Sequence, residues 1–163
     1  MPAVFLKPGR EKSLLRRHPW VFSGAVERVD GDPAPGATVD LLSARGDFLA
    51  RAAYSPASQI RARVWTFDPA ETVDADFFRK RIHSSLGTRH SFNIEDQTNA
   101  IRFIHAESDG LPGLIVDRYA DVLVAQFLTA GADSWRETLA DLLLAETGLS
   151  DIYERSDADV REL

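Results

Sequence analysis

The sequence has no cysteine among its 163 residues. Disulfide bonds, thiolate metal sites and cysteine nucleophiles are therefore excluded from this chain. It has no apolar run near the roughly 18 residues that a membrane-spanning helix requires. The first residues, Met-Pro-Ala-Val-Phe-Leu-Lys, lack the basic segment and apolar core of a secretory signal. These absences favour a cytoplasmic protein without a membrane partner.

The sequence also lacks the short motifs that mark common catalytic and nucleotide sites. It contains no Gly-x-Gly-x-x-Gly, no P-loop, no nucleophile elbow and no zinc-ligand spacing. Asp157 and Asp159 could suggest a metal pair, but two carboxylates without further ligands are weak evidence. We therefore predict no catalytic, cofactor-binding or metal-binding residue in this segment.

Charge is distributed unevenly along the chain. Residues 1–66 hold ten Lys and Arg against six Asp and Glu, whereas residues 67–163 hold nine against nineteen. The net charge of the whole chain is −6. A chain of this length can form one domain or two small ones. The split in charge predicts two units with different roles.

Most cations of the first unit lie in one short stretch. Residues 10–17 are predicted to form a helix, with Leu14 and Leu15 able to face a core. Pro19 should stop this helix, because proline lacks an N–H and restricts the preceding residue to extended geometry. A single acid, Glu11, lies among the cations Lys7, Arg10, Lys12, Arg16 and Arg17.

Cations on a rigid element suit phosphate contacts, and planar side chains suit stacking with unpaired bases. Arg61 and Arg63 alternate along a predicted strand and therefore share a face that could extend the patch. Trp20 is expected in the core more than as a base platform. The alternative is a solvated helix that binds nothing. The predicted RNA-binding residues are Lys7, Arg10, Lys12, Arg16, Arg17, His18, Arg61 and Arg63.

Turn residues and two-residue alternation divide the first 67 residues into five or six short strands and one small helix, which predicts a small β-barrel. The pattern of the remaining chain predicts helices as well as strands. A helix is predicted over residues 76–91, strands follow, and a second helix capped by Asp133 should end at Gly148. The predicted fold class is α+β, with strands and packing helices after the barrel.

Residues 105–113 contain an imidazole, carboxylates and a hydroxyl close together. His105, Glu107 and Asp109 could be the general acid–base cluster of a small-molecule enzyme. However, the Asp-Gly and Pro-Gly pairs of this stretch are turn formers for backbone reasons. We therefore favour a structural hairpin here.

Three stretches together resemble a known family. In order along the chain, they are Leu6–Phe22, His105–Tyr119 and Tyr153–Arg161. They are similar to the N-terminal portion of the class I large-subunit ribosomal RNA methyltransferases, the YccW-like cytosine-C5 type. The resemblance implies a PUA domain, a central α+β domain and a Rossmann-like domain that binds S-adenosylmethionine. That third domain, with the family's catalytic cysteine, would begin beyond Leu163.

The resemblance gives a specific expectation for function. It implies the RNA-recognition and connector portion of a SAM-dependent 23S rRNA (cytosine-C5) methyltransferase, with no catalysis and no cofactor in this segment. The expected boundaries are 1–68 for the PUA-like RNA-binding domain, 69–100 for a helical connector and 101–163 for the central domain. Ribosomal RNA is the expected partner, and a homodimer is left open. The alternative is a stand-alone PUA-type RNA-binding adaptor without enzymatic activity.

Overall fold

The first part of the chain forms one six-stranded sheet. The computed structural model describes residues 1–92 and 98–156. The strands follow the order β2-β6-β5-β4-β1-β3, and every pair is antiparallel except β1 with β4. They are β1 Ala3–Leu6, β2 Trp20–Phe22, β3 Val26–Asp30, β4 Thr38–Leu42, β5 Phe48–Tyr54 and β6 Ile60–Thr66. A one-turn helix, α1 Lys12–Leu15, connects β1 to β2.

Alternating apolar residues hold this sheet around its own core. In β4, Val39 and Leu41 are fully buried, while the residues between and beside them are partly exposed. This pattern is what a half-buried strand with a period of two produces. The first core also receives Leu14 from α1, so the helix is anchored by one side chain. Its other buried members are Val4, Leu6, Val21, Ala50, Ala52, Tyr54, Ala62 and Val64.

The second part is a four-stranded sheet with helices packed on it. The strands follow the order β10-β9-β8-β7, antiparallel except for the parallel pair of β10 with β9. They are β7 Ala100–His105, β8 Leu114–Tyr119, β9 Val122–Phe127 and β10 Asp151–Glu154. The helices are α2 Ala75–His90, α3 Ala130–Ser134 and α4 Arg136–Thr147. The expected α+β class is therefore confirmed.

Helix α2 follows its sequence pattern closely. The Asp74 side chain accepts a hydrogen bond from the backbone N–H of Phe77 at 2.9 Å, which caps the helix. One face of the helix carries an apolar stripe that is buried, and it packs against α4 and β7 in a second core. That stripe consists of Phe77, Phe78, Ile82 and Leu86.

The following helical segment starts earlier than predicted. Thr129, in extended geometry, caps α3 by accepting a hydrogen bond from the N–H of Ala132 at 3.2 Å. Asp133 lies inside α3, so its assignment as the cap was wrong. The segment bends at Trp135, and α4 then ends at Gly148 in left-handed geometry, with φ of 70°, as predicted.

The two sheets share a closely packed boundary. Ala53 and Trp65 belong to the first sheet, yet both are buried in the second core. Gly131 of α3 packs directly on them, and an added Cβ there would overlap the Ala53 side chain. The hydroxyl of Ser134 donates a hydrogen bond to the carbonyl of Gly36 at 3.2 Å. The first sheet is therefore fixed against the second part by packing and by hydrogen bonds.

None of the helices in the described ranges is long and apolar enough to cross a membrane. Two features of the sequence, the acid pair Asp157 and Asp159 and the last five residues of the stretch Tyr153–Arg161, lie outside the described residues.

Candidate nucleic-acid interface

The predicted helix over residues 10–17 is shorter in the structure, because the chain leaves helical geometry at Arg17. Arg17 has φ of 63°, in the left-handed region. The N–H of Arg17 donates to the carbonyl of Leu14 at 2.8 Å, and the N–H of His18 donates to that of Ser13 at 3.0 Å. This pair of bonds is a Schellman motif, which normally has glycine at the left-handed position. The helix therefore ends at Leu15, before Pro19 can act on it.

The short helix turns one leucine inward and its neighbour outward. Leu14 is 1% exposed in the first core, whereas Leu15 is 67% exposed. The expectation that both could face a core is therefore wrong for Leu15, since one helical turn presents only one face to the sheet. The anchored turn displays a set of exposed side chains, which are Lys7, Arg10, Lys12, Arg16, Arg17 and His18.

These exposed cations differ in their contacts. The ammonium of Lys7 donates to the carbonyl of Gly24 at 3.1 Å, and the guanidinium of Arg17 lies over the Phe67 ring at 4.9 Å from its centroid. Among the residues that the structure describes, Arg10, Lys12 and Arg16 have no carboxylate within ion-pair distance. Three positive charges therefore point outward without neutralisation.

Arg61 and Arg63 lie differently from the cations around α1. The Arg61 guanidinium donates to the carbonyl of Pro56. The Arg63 side chain is only 14% exposed, and its Nε lies 3.9 Å from Oε1 of Glu107. Burial lowers the pKa of Arg63, and the negative charge of Glu107 partly opposes that shift. Both side chains thus contact the protein itself.

Trp20 lies at the boundary between the two parts. Its indole N–H donates to Oε1 of Glu107 at 2.8 Å, across 87 positions of sequence. The Trp20 ring makes edge contacts with His18 and Phe22, with centroid distances of 5.8 and 6.4 Å. Trp20 is half-buried, so it is neither a full core residue nor a free base platform.

The stretch 105–113 forms a turn held by ion pairs. Its central residues, Ala106–Asp109, form a 3₁₀ turn that ends at Gly110 with φ of 69°. Asp109 receives two hydrogen bonds from Arg89, both at 2.7 Å, and a third from the N–H of His105 at 2.6 Å. In the described part of the chain, no cluster of His, Asp and Glu is suited to a metal ion. Glu107 and Asp109 are thus used by structural partners.

Sequence reasoning missed two residues of this region. Phe22 is not among the predicted site residues, yet it is 51% exposed beside Trp20. Glu107 was considered only as part of a catalytic cluster, although its carboxylate joins the two parts. The alternation of His18, Trp20 and Phe22 was a usable signal for a row of rings on one strand face. The contact with Glu107 had no local signal.

Comparison with known proteins identifies relatives of the whole chain. A family model described as PUA-like domain matches residues 4–67. The chain is 54% identical over 159 residues to ribosomal RNA large subunit methyltransferase I of Shewanella amazonensis, and likewise 54% identical over 159 residues to that of Cronobacter sakazakii. Each match covers 98% of this chain but only 40% of the relative. The chain thus spans about two-fifths of the length of these curated relatives.

A solved structure shares the fold. It is described as "a putative sam-dependent methyltransferase from Streptococcus mutans", and it matches 96% of this chain and 41% of its own, with a TM-score of 0.82 at 19% identity. This likeness concerns the fold alone. The sequence identity to the curated relatives goes further than the fold: over 98% of its length, the chain is similar to about two-fifths of a ribosomal RNA large subunit methyltransferase I.

Proposed function

We propose that this chain is the RNA-recognition and connector portion of a SAM-dependent large-subunit rRNA methyltransferase. In this proposal, the first sheet binds ribosomal RNA through the exposed cations around α1. The second part fixes the orientation of that sheet. One observation carries the proposal: a turn anchored by Leu14 displays Arg10, Lys12 and Arg16 outward without carboxylate partners among the described residues.

Cations of the second part differ from those around α1, because several of them are paired with carboxylates. Arg89 is paired with Asp109 and Arg102 with Asp117, so much of the positive charge of the second part is neutralised internally. That part has an excess of acids and should repel a phosphate backbone. RNA is therefore expected to approach the side of the molecule that carries α1.

The proposed contact set is smaller than the sequence predicted. It keeps Lys7, Arg10, Lys12, Arg16, Arg17 and His18, all of which are exposed. Arg61 and Arg63 are left out of direct contact, because one holds the Pro56 carbonyl and the other is largely buried near Glu107. We propose that these two arginines support the surface through their contacts within the protein and do not touch the RNA.

The chemistry of methyl transfer is proposed to lie in the part of the relatives that this chain does not match. S-adenosylmethionine is implied by the relatives, but the residues described here do not fit it. The passage from β9 into α3 is a strand followed by a helix, as in many nucleotide sites. However, Gly131 there is packed against Ala53 and Trp65, which leaves no space for a ligand. We therefore derive no catalytic step for this chain.

Binding to a single-stranded fragment of 23S rRNA at several salt concentrations tests the proposal. About five phosphate contacts should give a slope near −3.5 in a plot of log affinity against log salt. Reversing Arg10, Lys12 and Arg16 to Glu should remove most of the affinity and reduce the slope by about two units.

A matched control separates a local surface from net charge. Reversing Arg79, Lys80 and Arg136 to Glu changes the total charge by the same amount at exposed positions of the second part. This control should weaken binding only slightly. Equal losses in both triple variants, or no loss in the first, would contradict the proposed interface.

A further inference from the structure

A small pocket opens between α1 and β2, next to the cations. Its volume is about 260 Å³. Arg10 and Ser13 line it from the side of α1, Trp20 and Phe22 from the strand, and Gly24 at its lip. Ligand sites for whole drug-sized molecules occupy roughly 300–1,000 Å³, so this pocket suits a single ring system.

We infer that this pocket receives one unpaired base of the bound RNA, stacked on the ring of Phe22. The inference rests on the proposed RNA-binding function and adds the residue that contacts a base. Phe22 is 51% exposed, although the adjacent Val21 is buried in the first core. A large aromatic ring held half in solvent beside cations is what stacking with an unpaired base requires.

The Phe22 ring packs against a neighbouring ring. It contacts the Trp20 ring edge to face, and Trp20 is in turn held by its hydrogen bond to Glu107. A ring that is already ordered loses little conformational freedom on binding, which favours affinity. The hydrogen bond between the two parts of the chain therefore also supports the base-stacking surface.

The polar groups around the pocket suit a nucleotide. Arg10 is exposed at one side and can contact the phosphate next to the stacked base, while the Ser13 hydroxyl can pair with a base edge. A Cβ added at Gly24 would meet nothing within 4 Å, so the lip is open. Lys7 donates to the Gly24 carbonyl and adds positive charge there. These charges favour RNA over an apolar peptide as the occupant.

The test compares a probe that has bases with one that has none. Binding of the 163-residue chain to a ten-nucleotide single-stranded oligoadenylate and to inorganic polyphosphate is measured at the same salt concentration. Phe22→Leu removes the ring but keeps an apolar side chain. It should weaken binding of oligoadenylate about 5- to 150-fold, the range for loss of one base–aromatic stack. Binding of polyphosphate should change less than about twofold, because the cations remain.

Two further variants make the result specific. Phe22→Tyr keeps a stacking ring and should retain the wild-type affinity for oligoadenylate. Tyr153→Leu removes an even more exposed ring from the second part and should change neither affinity. The triple reversal of Arg10, Lys12 and Arg16 should weaken both probes.

Three outcomes would overturn the proposal that this pocket receives a base. If Phe22→Leu binds oligoadenylate as tightly as the wild type, the base does not stack there, and the exposed ring is left for a protein partner. In that case the proposed function still holds if binding retains its salt dependence. Equal weakening of both probes would indicate disturbed electrostatics or folding. Failure of the wild type to bind either probe would reject the proposed function and the pocket together.

Discussion

Two carboxylates of residues 105–113 show how the environment decides the role of a side chain. Glu107 accepts the indole hydrogen bond of Trp20, and Asp109 accepts one hydrogen bond from each of the two terminal guanidinium nitrogens of Arg89. The Arg89 and Asp109 side chains are 19% and 10% exposed, so this pair is shielded from water and salt. A carboxylate with such partners stabilises the fold.

Replacing Asp109 by Asn should destabilise the protein by about 3 kcal/mol, because Arg89 would keep a shielded charge without a counterion. Asp117→Asn is the matched control, since Arg102 is 45% exposed and water can solvate it. The Asp117→Asn substitution should lower the free energy of unfolding by less than about 1 kcal/mol. Urea unfolding of both variants measures the difference. Equal free energies of unfolding would show that the Arg89–Asp109 pair has no special weight.

The roles of some individual residues could be predicted from the sequence, and those of others could not. The exposed cations around α1 could be predicted from the sequence, because a cluster of positive charges in an otherwise acidic chain seldom serves the fold itself. The position of Trp20 could not, since a core position and a boundary position look alike in sequence. Its partner Glu107 is far away in the chain, and only the packing of the two parts brings them together.

At the scale of elements, local patterns were reliable where one face is buried. Strand alternation predicted β4 and β6, and the apolar stripe predicted α2. Helix ends were less predictable. The left-handed Arg17 ends α1 early, although glycine is the usual residue there, so composition gave no signal. Thr129 caps α3 because the geometry of the preceding strand end places its side chain at the helix start.

Two glycines in helices should respond oppositely to alanine. Gly87→Ala in α2 should stabilise the protein by about 0.5–1 kcal/mol, because a Cβ there meets open space and alanine favours helix. Gly131→Ala in α3 should destabilise it by about 1–3 kcal/mol, because the new methyl group overlaps Ala53 and lies 3.0 Å from Trp65 Cζ2. Thermal unfolding distinguishes the two signs. Stabilisation by both substitutions would mean that the boundary can relax at no cost.

At the scale of the whole molecule, the domain boundaries predicted at residues 68 and 100 remain predictions. The second core includes Ala53 and Trp65 of the first sheet, together with the buried stripe of α2. The first sheet therefore completes part of the apolar core of the second part. The fold class could be predicted from element patterns, but this sharing could not, because nothing in a strand sequence says which core its second face joins.

The shared core predicts that the two parts unfold together. Urea unfolding followed by tryptophan fluorescence should coincide with unfolding followed by far-UV circular dichroism, as a single two-state transition requires. A segment ending at residue 68 should be markedly less stable than the whole chain, since Trp65 would lose its packing partners Phe78 and Gly131. Two separated transitions, or an equally stable segment, would contradict this coupling.

The contact between Gly131 and Ala53 also bears on how related sequences can diverge. A methyl group at position 131 requires the space that the Ala53 side chain occupies, so the two positions share one fixed volume. A lineage could enlarge one only by reducing the other, for example with alanine at 131 and glycine at 53. Substitutions at these two sites should therefore be inherited as pairs, although 78 positions separate them in the chain. The packing at the boundary between the two parts would then be visible as paired substitutions in the sequences of relatives.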